Sequence, residues 1–174
     1  MSEIQAIPAI RELATRDCLE SITQLVRAAY APQAARGLRY WGTHQTVEET
    51  AKRFASGHGF IAELNGEYVG TVIVRPPQPE SPVVLYRQPN TWSISQLAVA
   101  PSFKGRGLGR VLHDAALAHA LKHQGITMAL DTAEPALALI AMYQAWGYQI
   151  IGKHDWRPHT NYVSVVMSRP LLGA

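Results

Sequence analysis

Ser93-Ile-Ser-Gln-Leu-Ala-Val-Ala-Pro-Ser-Phe-Lys-Gly-Arg-Gly-Leu-Gly-Arg-Val-Leu112 is the stretch on which the reading of this chain turns. An alternating apolar run stops at Pro101, glycines follow at 105, 107 and 109, and a helical pattern begins. A strand that turns through glycines into a helix brings free backbone N–H groups and the positive end of the helix dipole to one point. Such a point suits an anion, above all a phosphate. Lys104, Arg106 and Arg110 add positive charge around it.

Two familiar phosphate loops do not fit. A Walker loop requires Lys-Ser or Lys-Thr after the last glycine, and Gly109 is followed by Arg110. The dinucleotide fingerprint requires a third small residue where this chain has Arg110 or Leu112. The stretch resembles instead the acyl-CoA loop of the GNAT superfamily of N-acetyltransferases, written Arg/Gln-x-x-Gly-x-Gly/Ala. The match is Lys104-Gly105-Arg106-Gly107-Leu108-Gly109, with Lys in place of Arg or Gln at the first position.

Upstream, the pattern predicts a first strand near Ile7–Leu13 and a helix from a capping box at Asp17 and Glu20 to about Tyr30. Cys18, at the start of that helix, is expected to be a small buried or half-buried residue. Residues 31–45 break the periodicity and carry Tyr40, Trp41 and His44 together, which either pin the loop to the core or line a pocket. A second helix follows, opened by Thr46 and Glu49 and supported by Glu48–Lys52 and Glu49–Arg53 pairs. Phe60–Leu64 and Tyr68–Val74 flank Asn65-Gly66, a strong hairpin signal. Residues 75–90 hold prolines at 76, 77, 79, 82 and 89, so they read as a loop with one extended piece at Val83–Tyr86, placed at a site rim or in contacts of a homodimer.

Downstream of the glycines, Leu108, Val111, Leu112, Ala115, Ala118 and Leu121 give the helix one apolar face, ending at Gly125 as C′. Ile126–Leu130 reads as a buried strand. Pro135 belongs to the first turn of a helix so apolar, from Leu137 to Trp146, that heavy burial is expected. Tyr148–Ile151 and Tyr162–Met167 are the last strands, joined by the polar segment 153–160. The order β-α-α-β-β-β-α-β-α-β-β implies an α+β fold with a mostly antiparallel sheet and one β-α-β crossover. No break in composition divides the chain, so residues 1–174 read as one domain. The resemblance implies three layers, α/β/α, around a mixed sheet splayed at the strand before the glycine loop.

The 174 residues, 47% hydrophobic and 17% charged, are long enough for a substantial core. No apolar run reaches the roughly 18 residues of a membrane span. Met1–Ile7 lacks the pattern of a secretory signal, and the single Cys18 excludes an intrachain disulfide, so a cytoplasmic setting is expected. A net charge of +3, with its basic residues gathered at the loop, points to an anionic small molecule rather than nucleic acid.

The resemblance also implies a chemistry. Acetyl-CoA is the co-substrate, with pantetheine lying as a pseudo-strand beside Leu97, Ala98 and Val99 and the phosphates on Lys104 to Arg110. Unpaired N–H and C=O groups of a splayed strand suit its two amides. An amine of a small molecule or peptide attacks the thioester directly, and a backbone N–H near Val99 polarises the carbonyl. Met142-Tyr143-Gln-Ala-Trp-Gly-Tyr148 is similar to the family's Leu/Met-Tyr-x-x-x-Gly-Phe/Tyr, which assigns Tyr143 as general acid toward the thiolate. A phenol of pKa about 10 and a thiol near 8.5 are close enough for such a transfer. A core aromatic is the alternative for Tyr143. The Asn often found seven residues before that Tyr is Ala136 here.

No carboxylate stands where many relatives carry a Glu on the strand before the loop: this chain has Ile94-Ser95-Gln96-Leu97. The base is therefore open between water held by Ser95, Gln96 or the Trp92 backbone and one of His44, His154 and His159. If the aromatic loop is functional, Tyr40, Trp41 and His44 bind the acceptor. No spacing of His, Cys or acids supports a metal. O-acylation, a longer acyl donor and a non-catalytic acyl-CoA-binding module are the rival readings.

Overall fold

The computed structural model describes residues 6–172. Within them lie seven strands: β1 (Ala9–Glu12), β2 (His58–Leu64), β3 (Glu67–Arg75), β4 (Thr91–Val99), β5 (Thr127–Ala133), β6 (Gln149–Asp155) and β7 (Val163–Pro170). The helices are α1 (Leu19–Ala35), α2 (Trp41–His44), α3 (Val47–Ala55), α4 (Val84–Arg87), α5 (Leu108–Lys122) and α6 (Leu137–Ala145). The strands form one sheet in the order β1-β2-β3-β4-β5-β7-β6, antiparallel except for the β4–β5 pair.

Period-2 alternation assigns the two faces. Ile61 and Ile73 point to one side and pack with Ile22, Val26 and Phe54 of α1 and α3. Val72, Val74, Met128, Leu130 and Met167 point to the other and meet Leu108, Leu112, Ala116 and Ala120 of α5 and Ile140 and Tyr143 of α6. These are the three layers of a mixed α+β fold. Asn65 (φ 52) and Gly66 (φ 79) make the expected tight hairpin turn between β2 and β3. Thr46 and Glu49 form the expected capping box.

Several local expectations are corrected. Asp17 does not cap α1: its carboxylate binds Arg11 and the Ala14 N–H, and Cys18, exposed, takes the N-cap position without a side-chain bond. That helix also runs past Tyr30 to Ala35, through Pro32. Glu49 spends its carboxylate on the Thr46 N–H, so Arg53 turns to Gln45 instead. Val83–Tyr86 is not extended, because α4 winds there and buries Tyr86 beside Ala129 and Val166. The buried stripe of α5 is Leu108, Leu112, Ala116 and Ala120, while Val111 and Leu121 are exposed. It ends in a Schellman turn with Gln124 (φ 65) as C′ and the Gly125 N–H donating to Ala120 O at 2.7 Å. Helix α6 begins at Leu137, after Pro135, and is far less buried than its composition suggests, with only Ile140 and Tyr143 inside. Strand β6 extends to Asp155 into the segment read as polar loop. The N-terminal stretch read for a signal lies mostly outside the described residues.

One irregularity positions everything that follows. Strands β4 and β5 pair only through Thr91–Ser93 and Thr127–Ala129. Beyond Ser93 they part. On the other edge of β4, Thr71 faces Ala98 and Ile73 faces Ser95, so Val72 stands opposite both Gln96 and Leu97. This is a β-bulge, and Gln96 within it adopts a left-handed conformation (φ 54).

Candidate active site

Where β4 and β5 part, the gap opens into a cleft of about 1290 Å3. Its walls include Ile94–Val99 of β4, Leu130–Thr132 of β5, and Leu139, Met142, Tyr143 and Trp146 of α6. At one end stands the glycine turn, with Gly105 (φ 78) and Gly107 (φ 80) left-handed and Gly107 as N-cap of α5. The first helical bond runs from Val111 N to Gly107 O, so the N–H groups of Leu108, Gly109 and Arg110 are free to meet a ligand. The positive charges expected here are unequally placed. Arg110 lines the cleft over the Trp146 ring, 5.4 Å from its centroid. Lys104 lines it too, but its Nζ donates to Ala29 O at 2.9 Å. Arg106 lies outside the cleft, over Phe103 and beside Val111.

The aromatic side chains converge from three elements. Tyr143 is buried on α6 and its hydroxyl has no protein partner among the described residues. Burial holds that phenol well above its ordinary pKa, so it stays protonated. Tyr30 OH donates to Leu97 O at 3.0 Å, and burial pushes its pKa up to about 12. Tyr40 shares a 2.9 Å bond with Thr132 Oγ1 and packs, tilted by 48°, between the rings of Tyr30 and Tyr162. Tyr40 thus ties the aromatic loop to β5 while facing the cleft. Trp41, in α2, lines the cleft and stacks on His159 at 5.3 Å. His44 does not line it; its Nδ1 lies 3.0 Å from Thr43 Oγ1. Of the other histidines weighed, His159 lines the cleft and His154 packs on Trp156 outside it.

Sequence reasoning missed four polar residues of this site. Asp131, the lone acid in β5, accepts from Tyr86 OH at 2.5 Å and from Trp156 Nε1 at 3.0 Å. A single carboxylate inside Thr127-Met-Ala-Leu-Asp-Thr-Ala133 was the signal that could have found it. Gln45, fully buried, gives Nε2 to Gln96 Oε1 at 2.9 Å and receives Arg53 Nη1 on its Oε1 at 2.7 Å. Arg53 and Arg75 both line the cleft. Gln33 Oε1, Arg75 Nε, Ser95 Oγ and Gln96 Nε2 are buried atoms on this wall with no partner. Unsatisfied buried polar atoms are rare, and four on one cleft mark a surface built to receive a polar ligand.

The description "Acetyltransferase (GNAT) family" matches residues 19–148. The chain belongs to the GNAT acetyltransferase family. Its fold is similar to that of the ribosomal-protein-S18-alanine N-acetyltransferase from Escherichia coli, with a TM-score of 0.71, 20% identity, and 97% and 96% of the two chains covered. It is similar also to a GNAT family acetyltransferase from Elizabethkingia anophelis with acetyl-CoA bound, with a TM-score of 0.68, 16% identity, and 95% and 99% covered. Among curated proteins the N-acetylaspartate synthetase of Homo sapiens is 22% identical over 153 residues. The chain spans 48% of that relative's length.

The GNAT cleft of this chain fits an acyl-CoA on its own chemistry. Two facing strand edges are unpaired beyond Ser93 and Ala129, and a glycine-capped helix start sits at their end. An amide-bearing arm and a pyrophosphate match these two features in turn. Among the described residues no group of three or more His, Cys, Asp or Glu could hold a metal ion. No helix among them is long and apolar enough to cross a membrane.

Proposed function

We propose that this chain is an acetyl-CoA-dependent N-acetyltransferase that brings acetyl-CoA and an amine together for direct attack. The parting of β4 from β5 at Ser93, with the left-handed bulge at Gln96, carries the reading. The β4 edge along Leu97, Ala98 and Val99, which β5 leaves unpaired and where Leu97 O already accepts from Tyr30 OH, faces the pantetheine amides, and the free N–H groups of Leu108, Gly109 and Arg110 meet the phosphates. Acetyl-CoA supplies the acyl thioester. The Val99 N–H polarises its carbonyl, and Tyr143, protonated and without a partner, gives its proton to the departing sulfur.

Asp131 supplies the carboxylate missing from β4. Its two oxygens have about four lone-pair sites, of which two are used by Tyr86 and Trp156. It can therefore take the amine proton, directly or through water held at Ser95 Oγ and Gln96 Nε2, both unpartnered. The free Cys18 is consistent with a cytoplasmic protein.

Calorimetry with acetyl-CoA, followed by thiol release with a panel of amines, tests the reading. Binding with turnover supports it, whereas binding without turnover of any amine supports a non-catalytic acyl-CoA-binding module. In Asp131→Asn kcat/KM for the amine should fall by on the order of 10² or more, with acetyl-CoA affinity unchanged. An unaltered kcat/KM removes Asp131 from proton transfer.

A further inference from the structure

Most arginines that are not in the cleft either pair with an acid or a carbonyl or, like Arg16, Arg27, Arg36 and Arg106, are exposed to water. Arg11 pairs with Asp17 and Glu63, Arg110 with Asp114, and Arg157 with Asp155. Arg87 and Arg169 donate to backbone carbonyls. Arg53, in the last turn of α3, and Arg75, at the end of β3, differ. Both lie in the cleft wall, and neither has an ion pair among the described residues. Arg53 gives one bond, to Gln45. Arg75 gives none, and its Nε is buried without a partner.

A desolvated guanidinium with most of its N–H donors unused is costly to hold. Burial lowers the pKa of Arg53 to about 10, with Arg75 nearby pushing it the same way, and burial lowers that of Arg75. The acids whose charge reaches Arg53, Asp131 and Glu49, form no ion pair with it. Glu49 caps α3 and Asp131 is held by Tyr86 and Trp156. Neither guanidinium is paired with an acid, so their unused N–H donors remain to meet an anionic ligand in this part of the cleft.

That anion is not the phosphate of the acyl donor. Arg75 pairs in register with Ser93, whereas the glycine turn follows Val99, six residues further along β4. A strand rises about 3.3 Å per residue, so the two ends stand about 20 Å apart. We propose that Arg53 and Arg75 are a carboxylate-binding pair at the acceptor end of the cleft, so that the amine acetylated here also carries a carboxylate. This rests on the acetyltransferase reading above. The planar fork of a guanidinium matches a carboxylate by two parallel hydrogen bonds. An amino acid seated this way can turn its amine toward the Asp131 carboxylate, in the wall that Tyr143 also lines.

The test compares L-amino acids with their α-amides, their decarboxylated amines and O-phosphoethanolamine, in thiol-release assays on the wild type, R75Q and R53Q. Carboxylate-bearing acceptors are expected to be preferred by on the order of 10² or more in kcat/KM, as in sites built to hydrogen-bond one substrate group. R75Q should raise KM for those acceptors at least about tenfold, leave acetyl-CoA affinity unchanged and narrow the preference. Equal use of the amides and decarboxylated amines overturns the proposal, as does a preference for the phosphate ester. If R75Q does not fold, R53Q gives the same comparison. Should acetyl-CoA fail to bind, the acetyltransferase reading falls by itself, and the arginine pair is read by thermal shift. Succinate should then stabilise the wild type more than succinamide does, and R75Q should lose the difference. An equal response to the two compounds rejects the carboxylate site on that arm.

Discussion

Gln45 Nε2 donates to Gln96 Oε1 at 2.9 Å, and both side chains are buried. The bond ties the start of α3 to the one left-handed residue of β4, so the loop that follows the aromatic cluster and the bulge that opens the sheet are held by the same contact. Since Gln45 also receives Arg53, a disturbance at any of these three residues reaches the other two.

Tyr143→Phe removes only a hydroxyl, so packing on α6 is expected to survive. Loss of a positioned general acid should lower kcat by on the order of 10² or more. Acetyl-CoA affinity should hardly move, because the interaction matters mainly in the transition state. Near-normal kcat, measured where chemistry limits turnover, would free Tyr143 from that role.

Gly107→Val should weaken acetyl-CoA binding and stability together. No atom lies within 4 Å of the added Cβ, so the cost comes from the backbone, which holds φ at 80°. A left-handed conformation costs an L-residue roughly 1–2 kcal/mol, and more when β-branched. Gly109 is different: it has no positive φ, and a Cβ there would meet Val99 Cγ2 at an ordinary 3.7 Å. Gly109→Ala should therefore fold with little loss, and a denaturant midpoint for Gly109→Ala as low as that for Gly107→Val would contradict the assignment.

Trp41→Ala should raise the acceptor KM while sparing acetyl-CoA affinity. The ring stands in the cleft wall on His159. Tyr40, by contrast, is bonded to β5, so Tyr40→Ala should cost stability as well. Equal effects of Trp41→Ala on both substrates would show the ring to be structural.

Stability should fall as pH drops from about 6.5 toward 4, in part through His113. Burial lowers its folded pKa from 6.5 to about 4, so across that window the unfolded chain binds the extra proton. Its contribution is complete above the unfolded value and is lost as pH approaches the folded one. His119 is lowered in the same direction, by burial and then by His58 and His123. His113→Gln, which can keep the contact to Tyr148 OH, should flatten the slope of urea stability against pH; an unchanged slope would assign the acid sensitivity elsewhere.

The glycine turn was legible because its determinants are local: spacing, a strand before it and a helix after it. The hairpin at Asn65-Gly66 and the capping box at Thr46 were legible for the same reason. What escaped depends on partners distant in sequence. The bond from Lys104 Nζ to Ala29 O, 75 residues away, has no signal in the glycine motif. Gln96 has no special taste for positive φ, and only the misalignment of β3 and β4 puts it there. Arg53, Arg75 and Asp131 come from three elements, so no spacing joins them. Composition misled at α6, where Leu137 is 73% exposed despite an apolar pattern nearly all round.

Open strand edges usually invite other chains and so carry an aggregation hazard. The edges of β4 and β5 face each other inside the sheet, joined at Thr91–Ser93, instead of lying on its rim. A foreign polypeptide finds no free flank there along which to dock. The unfinished part of the sheet is thus enclosed by its own strands, and its unpaired groups are offered to the cleft and not to a neighbouring chain.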